Sequence, residues 1–290
     1  MAATSSVAIR EPGRITRSGG RLTSRLVDQL VWMGNLVLFL VKAIVWIPYV
    51  LTRFRPEMAR LLAEVSVGSG LLFVAGGTVG VIFMLSGAIG IEVGLEGFQG
   101  LHILGLAPLS GYVSAFANTR ELAPLIAAVA LASQLGCKFT AQLGAMRINE
   151  EIDAVEMMAV PPIPYLVTTR IIAAVVAVIP LYLVGLFAAY VGTEFTISVF
   201  FHQSAGTYGH YFHVFIQPRD VILSVVKVVV FALLVIPIHC YYGYYASGGP
   251  EGVGRAAGRA IRTASVLIAV ADMLMTFLFW GTAQTVGLSA

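Results

Sequence analysis

The sequence predicts an all-α integral membrane protein with five transmembrane helices, a cytoplasmic amphipathic helix between two of them, and an N-terminal interfacial or re-entrant helix. Hydrophobic residues make up 58% of the 290 residues and charged residues only 11%, and the mean hydropathy is +0.87. Several apolar stretches reach the roughly 20 residues that a spanning helix requires. Basic residues also gather in segments that fall on one side of such an arrangement.

Composition excludes other classes of protein. The net charge of +3 is too small to indicate nucleic-acid binding. Cys137 and Cys240 both lie in apolar segments, which favours membrane-buried thiols over a disulfide, and their spacing offers no metal site. The chain has no Gly-Lys dipeptide, no G-x-S-x-G and no H-E-x-x-H. We therefore expect no nucleotide site, no catalytic residues and no resident metal in this chain.

The N-terminal region divides into two predicted segments. Residues 1–25 are polar and basic, which predicts a disordered cytoplasmic tail against anionic lipid. Residues 26–56 predict an interfacial helix, because polar residues and a proline interrupt the apolar run. These residues are Asp28, Gln29, Asn35, Lys42 and Pro48. The alternative is a sixth spanning helix, which would invert the start of the topology.

Residues 57–290 form the predicted membrane domain. Its expected spans are Val65–Ile91, Tyr112–Ala145, Pro161–Val191, Asp220–Ala246 and Ser265–Trp280. The segments Glu92–Gly111 and Glu194–Arg219 contain few basic residues and are expected outside, whereas the basic, glycine-rich Gly248–Arg262 is expected to be a cytoplasmic turn. The positive-inside rule then predicts a cytoplasmic N-terminus and an extracytoplasmic C-terminus.

The segment between the second and third spans carries a charged island. As a helix over Ile148–Ala159 it would place Ile148, Ile152, Val155 and Ala159 on one face and Asn149, Asp153 and Glu156 on another. Pro161 and Pro162 would stop it, since proline cannot donate a helix hydrogen bond. Such a helix, tied to a span at each end, could carry a push from outside into the bilayer. The alternative is an ordinary surface helix.

Charged residues also fall inside the predicted spans, where they are expensive. Arg120 and Glu121 lie about as far into one inward-running helix as Lys227 lies into another, which predicts a Glu121–Lys227 pair. Asp272 is near the middle of the last span. Lys138 is close enough to a helix end to snorkel. These charges either pin helix register or gate a cavity between helices, and the sequence leaves both open.

Three histidines lie in the second external segment, among several aromatic residues. They are His202, His210 and His213. Their aromatic surroundings favour an interfacial or docking segment. The competing interpretation is a membrane-embedded enzyme acting on lipids, with these histidines as acid/base groups or metal ligands.

Three separated stretches resemble the MlaE/YrbE family of ABC-transporter permeases. They are AQLGAMRINEEIDAVEMMAV at Ala141–Val160, RELAP at Arg120–Pro124, and CYYGYYASGGPEGVGRAAGRAIR at Cys240–Arg262. A fourth, QSAGTYGHYF at Gln203–Phe212, resembles the "B" YrbE permease of actinobacterial Mce operons. The resemblance covers most of the chain from Arg53 onward.

The resemblance implies roles for particular residues. The segment at about 147–160 would be a coupling helix that seats in an ATPase, through Arg147, Glu150, Glu151, Asp153 and Glu156. A further set would lie near a lipid cavity and gate it: Arg120, Glu121, Lys227 and Asp272. Gln142 and Gln134 depart from the family, where an acid and an arginine are common, and this fits an unequal partner in a heterodimer.

The resemblance also implies the partners. We expect a cytoplasmic ABC ATPase that binds ATP and Mg, a second YrbE-type permease, extracytoplasmic MCE-domain proteins and a lipid cargo, all at the plasma membrane. The lipid would be a fatty acid, sterol or phospholipid, moved inward. The remaining rival is an ion-coupled secondary carrier that uses Glu121, Lys227 and Asp272 as a relay.

Overall fold

The computed structural model describes residues 21–67 and 77–281. The predicted disordered tail therefore lies mostly outside the described residues, as do residues 68–76 of the predicted span Val65–Ile91. The chain divides into two units, Met1–Phe39 and Leu40–Ala290. Within the described part of the first unit, the backbone is helical from Arg21 onward.

All regular elements in the described ranges are helical. The N-terminal helices are α1 (Arg21–Val45), α2 (Ile47–Arg53) and α3 (Arg55–Val67). The long apolar helices are α4 (Thr78–Ile103), α5 (Ala107–Ile148), α7 (Ile163–Phe200), α9 (Pro218–Tyr244) and α10 (Gly249–Trp280). Two shorter helices lie between them, α6 (Glu151–Met157) and α8 (Ala205–Phe215). The five long helices each contain enough apolar residues to cross a bilayer, and the chain is an all-α multi-pass membrane protein.

The predicted interfacial segment is a bent pair of helices. Met33–Val45 and Ile47–Arg53 meet at an angle of 43°. Pro48 explains the bend, since it cannot donate a hydrogen bond to the preceding turn and its ring displaces that turn's carbonyl. Together the two pieces are long and apolar enough to form a broken span or a re-entrant loop. Both alternatives raised by the sequence therefore stay open.

Several predicted boundaries were wrong. The segment Glu92–Gly111 is not a loop, because α4 continues to Ile103 and α5 begins at Ala107. Likewise Gly248–Arg262 is not a turn: all but its first residue belong to α10. Gly248 and Gly249 have positive φ angles of 91° and 69° at the chain reversal that leads into α10, whereas Gly252 is buried on the packed face of the helix. Small side chains recur every fourth residue on the buried face of α10, at Gly252, Ala256, Ala260 and Ala264.

Helices α4 and α7 form the tightest contact, along their glycines. A Cβ added to Gly90 would stand 2.1 Å from the carbonyl oxygen of Ala189, and one on Gly192 would stand 2.5 Å from that of Gly87. The Thr193 hydroxyl donates to the Gly90 carbonyl at 2.8 Å. Close backbone approach of this kind is typical of membrane helices, whose association rests on packing.

Helix α5, with 42 residues, is the longest helix within residues 21–67 and 77–281. Two π-helical segments lie within it, Ser114–Leu122 and Ala132–Gly136. Helix α9 runs parallel to α5: Lys227 meets Glu121 in the first half of each helix and His239 meets Thr140 in the second half. Helix α10 returns along α9, so that Asp272 also reaches Lys227. The three helices thus surround one line of polar contacts.

Candidate functional site

The intramembrane charges predicted from the sequence converge on Lys227, whose side chain is fully buried. Its Nζ lies 3.0 Å from Glu121 Oε2 and 2.7 Å from Asp272 Oδ1. It also donates to the Thr276 hydroxyl at 2.8 Å and to the Arg120 carbonyl at 3.0 Å. The predicted Glu121–Lys227 pair is therefore present, and Asp272 belongs to it.

Thr276 is a member of this group that the sequence did not indicate. Its hydroxyl accepts from Lys227 and stands 2.9 Å from Glu121 Oε1, to which it donates. A hydroxyl can do both at once. One threonine therefore fixes the orientation of the ammonium relative to the carboxylate. No sequence signal could have identified it, because threonines are common in spanning helices.

Arg120 points to a different partner. Its Nε and NH2 donate to Asp220 Oδ2 at 3.0 and 2.8 Å, and the Trp280 indole N–H donates to the other oxygen, Asp220 Oδ1, at 2.9 Å. The guanidinium also lies over the Phe116 ring, 4.3 Å from its centroid. The sequence analysis named Asp220 only as the first residue of one span and Trp280 only as the last residue of another.

We call these residues the charge cluster: Arg120, Glu121, Asp220, Lys227, Asp272, Thr276 and Trp280. They come from three helices, α5, α9 and α10. Arg120 and Glu121 stand in the π-helical segment Ser114–Leu122, and π turns are frequent at functional sites. Removing Lys227 would leave Glu121 and Asp272 without their cation, and removing Arg120 would leave the Asp220 carboxylate without its ion-pair partner, which is strongly unfavourable in a membrane interior.

The predicted coupling residues lie at the opposite end of α5. Arg147 is in its last turn, and its NH1 pairs with Asp153 Oδ1 on α6 at 2.8 Å. The Asn149 amide donates to Glu151 Oε1 at 3.2 Å. Glu150, Glu151, Asp153 and Glu156 are all exposed. The acidic surface predicted from the sequence is therefore present on α6, and its role as a coupling surface stays a prediction.

The amphipathic helix itself is shorter than predicted. It spans Glu151–Met157 rather than Ile148–Ala159, since Ile148 ends α5. Glu150 and Ala159 flank it with positive φ angles of 59° and 60°, a backbone region that few residues other than glycine adopt. Of the predicted apolar face, only Ile152 is fully buried. Sequence periodicity could not show these joints, because neither residue is a glycine.

Exposed apolar side chains continue the α6 surface. Met157 is 88% exposed and Met158 is 68% exposed. Tyr245, just past the end of α9, is close enough to Arg147 for their charges to interact: burial raises the pKa of the Tyr245 hydroxyl and Arg147 opposes the rise. An acidic helix beside exposed methionines forms a surface suited to binding a protein partner, because the flexible methionine side chains can pack against irregular apolar surfaces.

The three histidines do not form a common site. His202 lies between α7 and α8 with a positive φ of 51°, and α8 carries the other two, His210 exposed and His213 exposed near its C-terminal end. Helix α8 packs on α5 instead through Tyr208, whose hydroxyl donates to Ser114 Oγ at 2.9 Å. In the described ranges, no three His, Cys, Asp or Glu side chains are grouped as a metal site would require.

Known proteins resemble this chain over most of the region just described. A "probable ABC transporter permease protein" of Rickettsia felis is 36% identical over 165 residues, 56% of this chain and 62% of the relative. One of Synechocystis is 32% identical over 182 residues, 62% of this chain and 69% of the relative. The Arabidopsis thaliana chloroplast protein TRIGALACTOSYLDIACYLGLYCEROL 1 is 31% identical over 183 residues, 63% of this chain and 52% of the relative.

These alignments span about 62% of the length of the rickettsial relatives. The model of one protein family, described as Permease MlaE, matches residues 67–278, which include α4 to α9 and nearly all of α10. Both the charge cluster and α6 fall inside that match, apart from Trp280. This chain belongs to the MlaE permease family.

Proposed function

We propose that this chain is the transmembrane permease subunit of an Mce-type ABC lipid transporter. A separate cytoplasmic ATPase, which binds ATP and Mg, seats on α6 and supplies the free energy. A second YrbE-type permease completes the transmembrane part as a heterodimer, and extracytoplasmic MCE-domain proteins pass the lipid to it for import. The protein resides in the plasma membrane with its N-terminus in the cytoplasm and its C-terminus outside.

The observation that carries this proposal is the continuity of α5. One helix holds Glu121 of the charge cluster near its start and ends in Arg147, which pairs with α6. The 27 residues from Glu121 to Ile148 correspond to about 40 Å of helix at ~1.5 Å per residue. A displacement of α6 is therefore carried toward the buried charges by one unbroken helix.

The lipid assignment is supported by two further observations. Leu85 and Val129 are 42% and 46% exposed and so offer apolar surface. One relative, the Arabidopsis protein, is named after a glycolipid, trigalactosyldiacylglycerol. Arg120, Glu121, Lys227 and Asp272 would gate the path of the lipid between the two permease subunits.

The test separates docking from folding. Glu151→Lys with Glu156→Lys reverses two charges that join no ion pair in the described structure, whereas reversal of Asp153 would also break its pair with Arg147. The matched control is Glu96→Lys, an exposed acid on α4 that also joins no ion pair within the described ranges. The expected result is normal membrane insertion with loss of ATPase copurification and of ATP-dependent lipid uptake, while the control keeps both.

Two outcomes would contradict the proposal. Normal ATPase copurification and normal uptake in the double variant would show that α6 is not the docking surface. Uptake that continues without any ATPase and follows the proton gradient would instead favour the ion-coupled carrier. Cysteine labelling from each side at position 153 provides an independent check, since a cytosolic ATPase requires Asp153 to be cytoplasmic.

A further inference from the structure

A second polar group joins α3, α5 and α7 near the end of α5 that carries α6. Glu64 Oε1 accepts from Lys138 Nζ at 2.8 Å and from Gln142 Nε2 at 3.2 Å. The other atom of the same amide, Gln142 Oε1, accepts from Arg170 NH2 at 3.4 Å. Lys138 thus forms an ion pair with α3 and does not simply snorkel to the membrane surface as its position in the sequence suggested.

Arg170 is the unusual member of this group. It is only 8% exposed, and its NH1 donates to the Leu166 carbonyl at 2.6 Å. Its guanidinium stands 5.7 Å from the centroid of the Phe139 ring, and Nε has no hydrogen-bond partner. Across residues 21–67 and 77–281, no ion pair joins Arg170 to a carboxylate. A buried cation in this situation depends on whatever connects it to negative charge.

Gln142 is that connection, and its side chain suits the task for a chemical reason. An amide has both a donor and an acceptor, so it can donate to the Glu64 carboxylate while it accepts from the Arg170 guanidinium. A carboxylate in its place would accept from Arg170 but repel Glu64. The Lys138 hydrogen bond also lowers the pKa of the Glu64 carboxyl, which keeps that group negative and able to accept.

Gln142 lies close to the junction between α5 and α6, where a movement of α6 would be transmitted. It lies six residues before Ile148, where α5 gives way to α6. Its two partners belong to α3 and to the first turns of α7. A movement of α6 that is passed to the end of α5 therefore reaches both neighbouring helices through one side chain.

We propose that Gln142 is a positioning residue for energy coupling: its amide bridge keeps α3 and α7 in step with the end of α5, so that movement of α6 reaches all three helices. This inference rests on the proposed function as a permease driven by a separate ATPase. It assigns the transmission of ATP-driven movement between helices to a residue that lies outside both the docking surface and the charge cluster.

The test is a double-mutant cycle with Gln142→Glu, Glu64→Gln and the combination of both. In the double variant the polarity of the bridge is reversed: the amide introduced at position 64 can donate to the carboxylate introduced at position 142, which pairs with Arg170 directly. Lys138 also lies one helical turn before position 142 and can pair with the new carboxylate. Gln99→Glu, on an exposed part of α4, is the matched control.

The measurement is the amount of fluorescent lipid moved per ATP hydrolysed by the reconstituted complex, together with its thermal stability. We expect Gln142→Glu to lower this ratio about tenfold, as the loss of one hydrogen bond to a charged group implies. ATP hydrolysis and ATPase binding should be kept, and the double variant should recover to within about twofold of wild type. The control should not change the ratio.

Three results would overturn the inference. Gln142→Glu could couple as well as wild type, the double variant could be as impaired as the single one, or the loss could simply follow a drop in thermal stability in every variant. If the wild-type complex moves no lipid with ATP, the proposed function fails and this inference fails with it. If wild type transports normally and Gln142→Glu does too, only the role of Gln142 is lost.

Discussion

The contact between α4 and α7 allows a sharp test of the packing, because two glycines three residues apart on α4 differ in the space around them. A Cβ on Gly90 would stand 2.1 Å from the Ala189 carbonyl oxygen and 2.8 Å from the Ala189 Cα. A Cβ on Gly87 would stand 3.9 Å from the Ala188 carbonyl oxygen, an ordinary contact distance. Gly90→Ala and Gly87→Ala therefore form a matched pair.

The expected magnitude follows from the geometry. To admit the Gly90 methyl group, the helices must separate by roughly 1 Å, and gaps of that size forfeit a quarter to a half of the dispersion attraction between facing atoms. Overpacking of this kind destabilises by about 1–3 kcal/mol. The Thr193 hydroxyl would also lose its hydrogen bond to the Gly90 carbonyl, worth about 0.5–1.5 kcal/mol. The sum is about 2–4 kcal/mol.

The assay is thermal unfolding of both variants in the same detergent. For a chain of this length a loss of 1 kcal/mol lowers Tm by about 2–4 °C, so Gly90→Ala should unfold roughly 5–15 °C below wild type. Gly87→Ala should unfold at or slightly above the wild-type temperature, since alanine favours helix by up to about 1 kcal/mol over glycine. Equal Tm values for the two variants would refute the assigned packing of α4 on α7.

Three other predictions concern buried and interfacial charges and one close contact. Lys227→Met should destabilise by about 3–5 kcal/mol because it leaves two carboxylates without their cation, and adding Asp272→Asn should recover part of this loss in thermal melts. Gly136→Ala should cost about 1–3 kcal/mol, since its Cβ would stand 2.6 Å from the His239 ring; a wild-type Tm would count against this. Because the Lys138 hydrogen bond lowers the pKa of Glu64, Glu64 should stabilise the fold at pH values above its unfolded-state pKa and lose that effect as the pH falls through its lower folded-state pKa. The Tm difference between wild type and Glu64→Gln should therefore shrink on acidification, and a constant difference would contradict the assignment.

The sequence predicted side-chain pairing correctly where the pairing depends on how far each residue lies along its helix. Counting residues from the helix ends placed Glu121 and Lys227 at a common depth, and the two do pair. The same counting missed the link between Arg120 and Asp220, because Asp220 looked like a boundary residue rather than a partner. Which side chains of neighbouring helices face each other depends on helix rotation, and single-sequence periodicity is weak in helices that are apolar on every side.

Local conformation was harder to predict. Glu150 and Ala159 have left-handed backbones although neither is glycine, so the shorter α6 had no sequence signal. The segment from Gly248 to Arg262 has the composition of a loop, yet Gly252 is a packing position on α10. Gln142 departs from the family pattern in the sequence, but only the structure shows that its amide lies between Glu64 and Arg170.

The two π-helical segments of α5 give this long helix places where it can change register without breaking. A π turn holds one residue more than an α turn, so moving it along by a turn rotates the stretch it crosses by about 100° while nearly every backbone group keeps a partner. Such a movement is compatible with the hydrocarbon core of a membrane, where an unpaired backbone N–H or C=O group costs several kcal/mol. Arg120 and Glu121 stand inside the first of these segments. A slip of one residue at that point would turn both side chains away from Asp220 and Lys227 and leave Arg147 where it is.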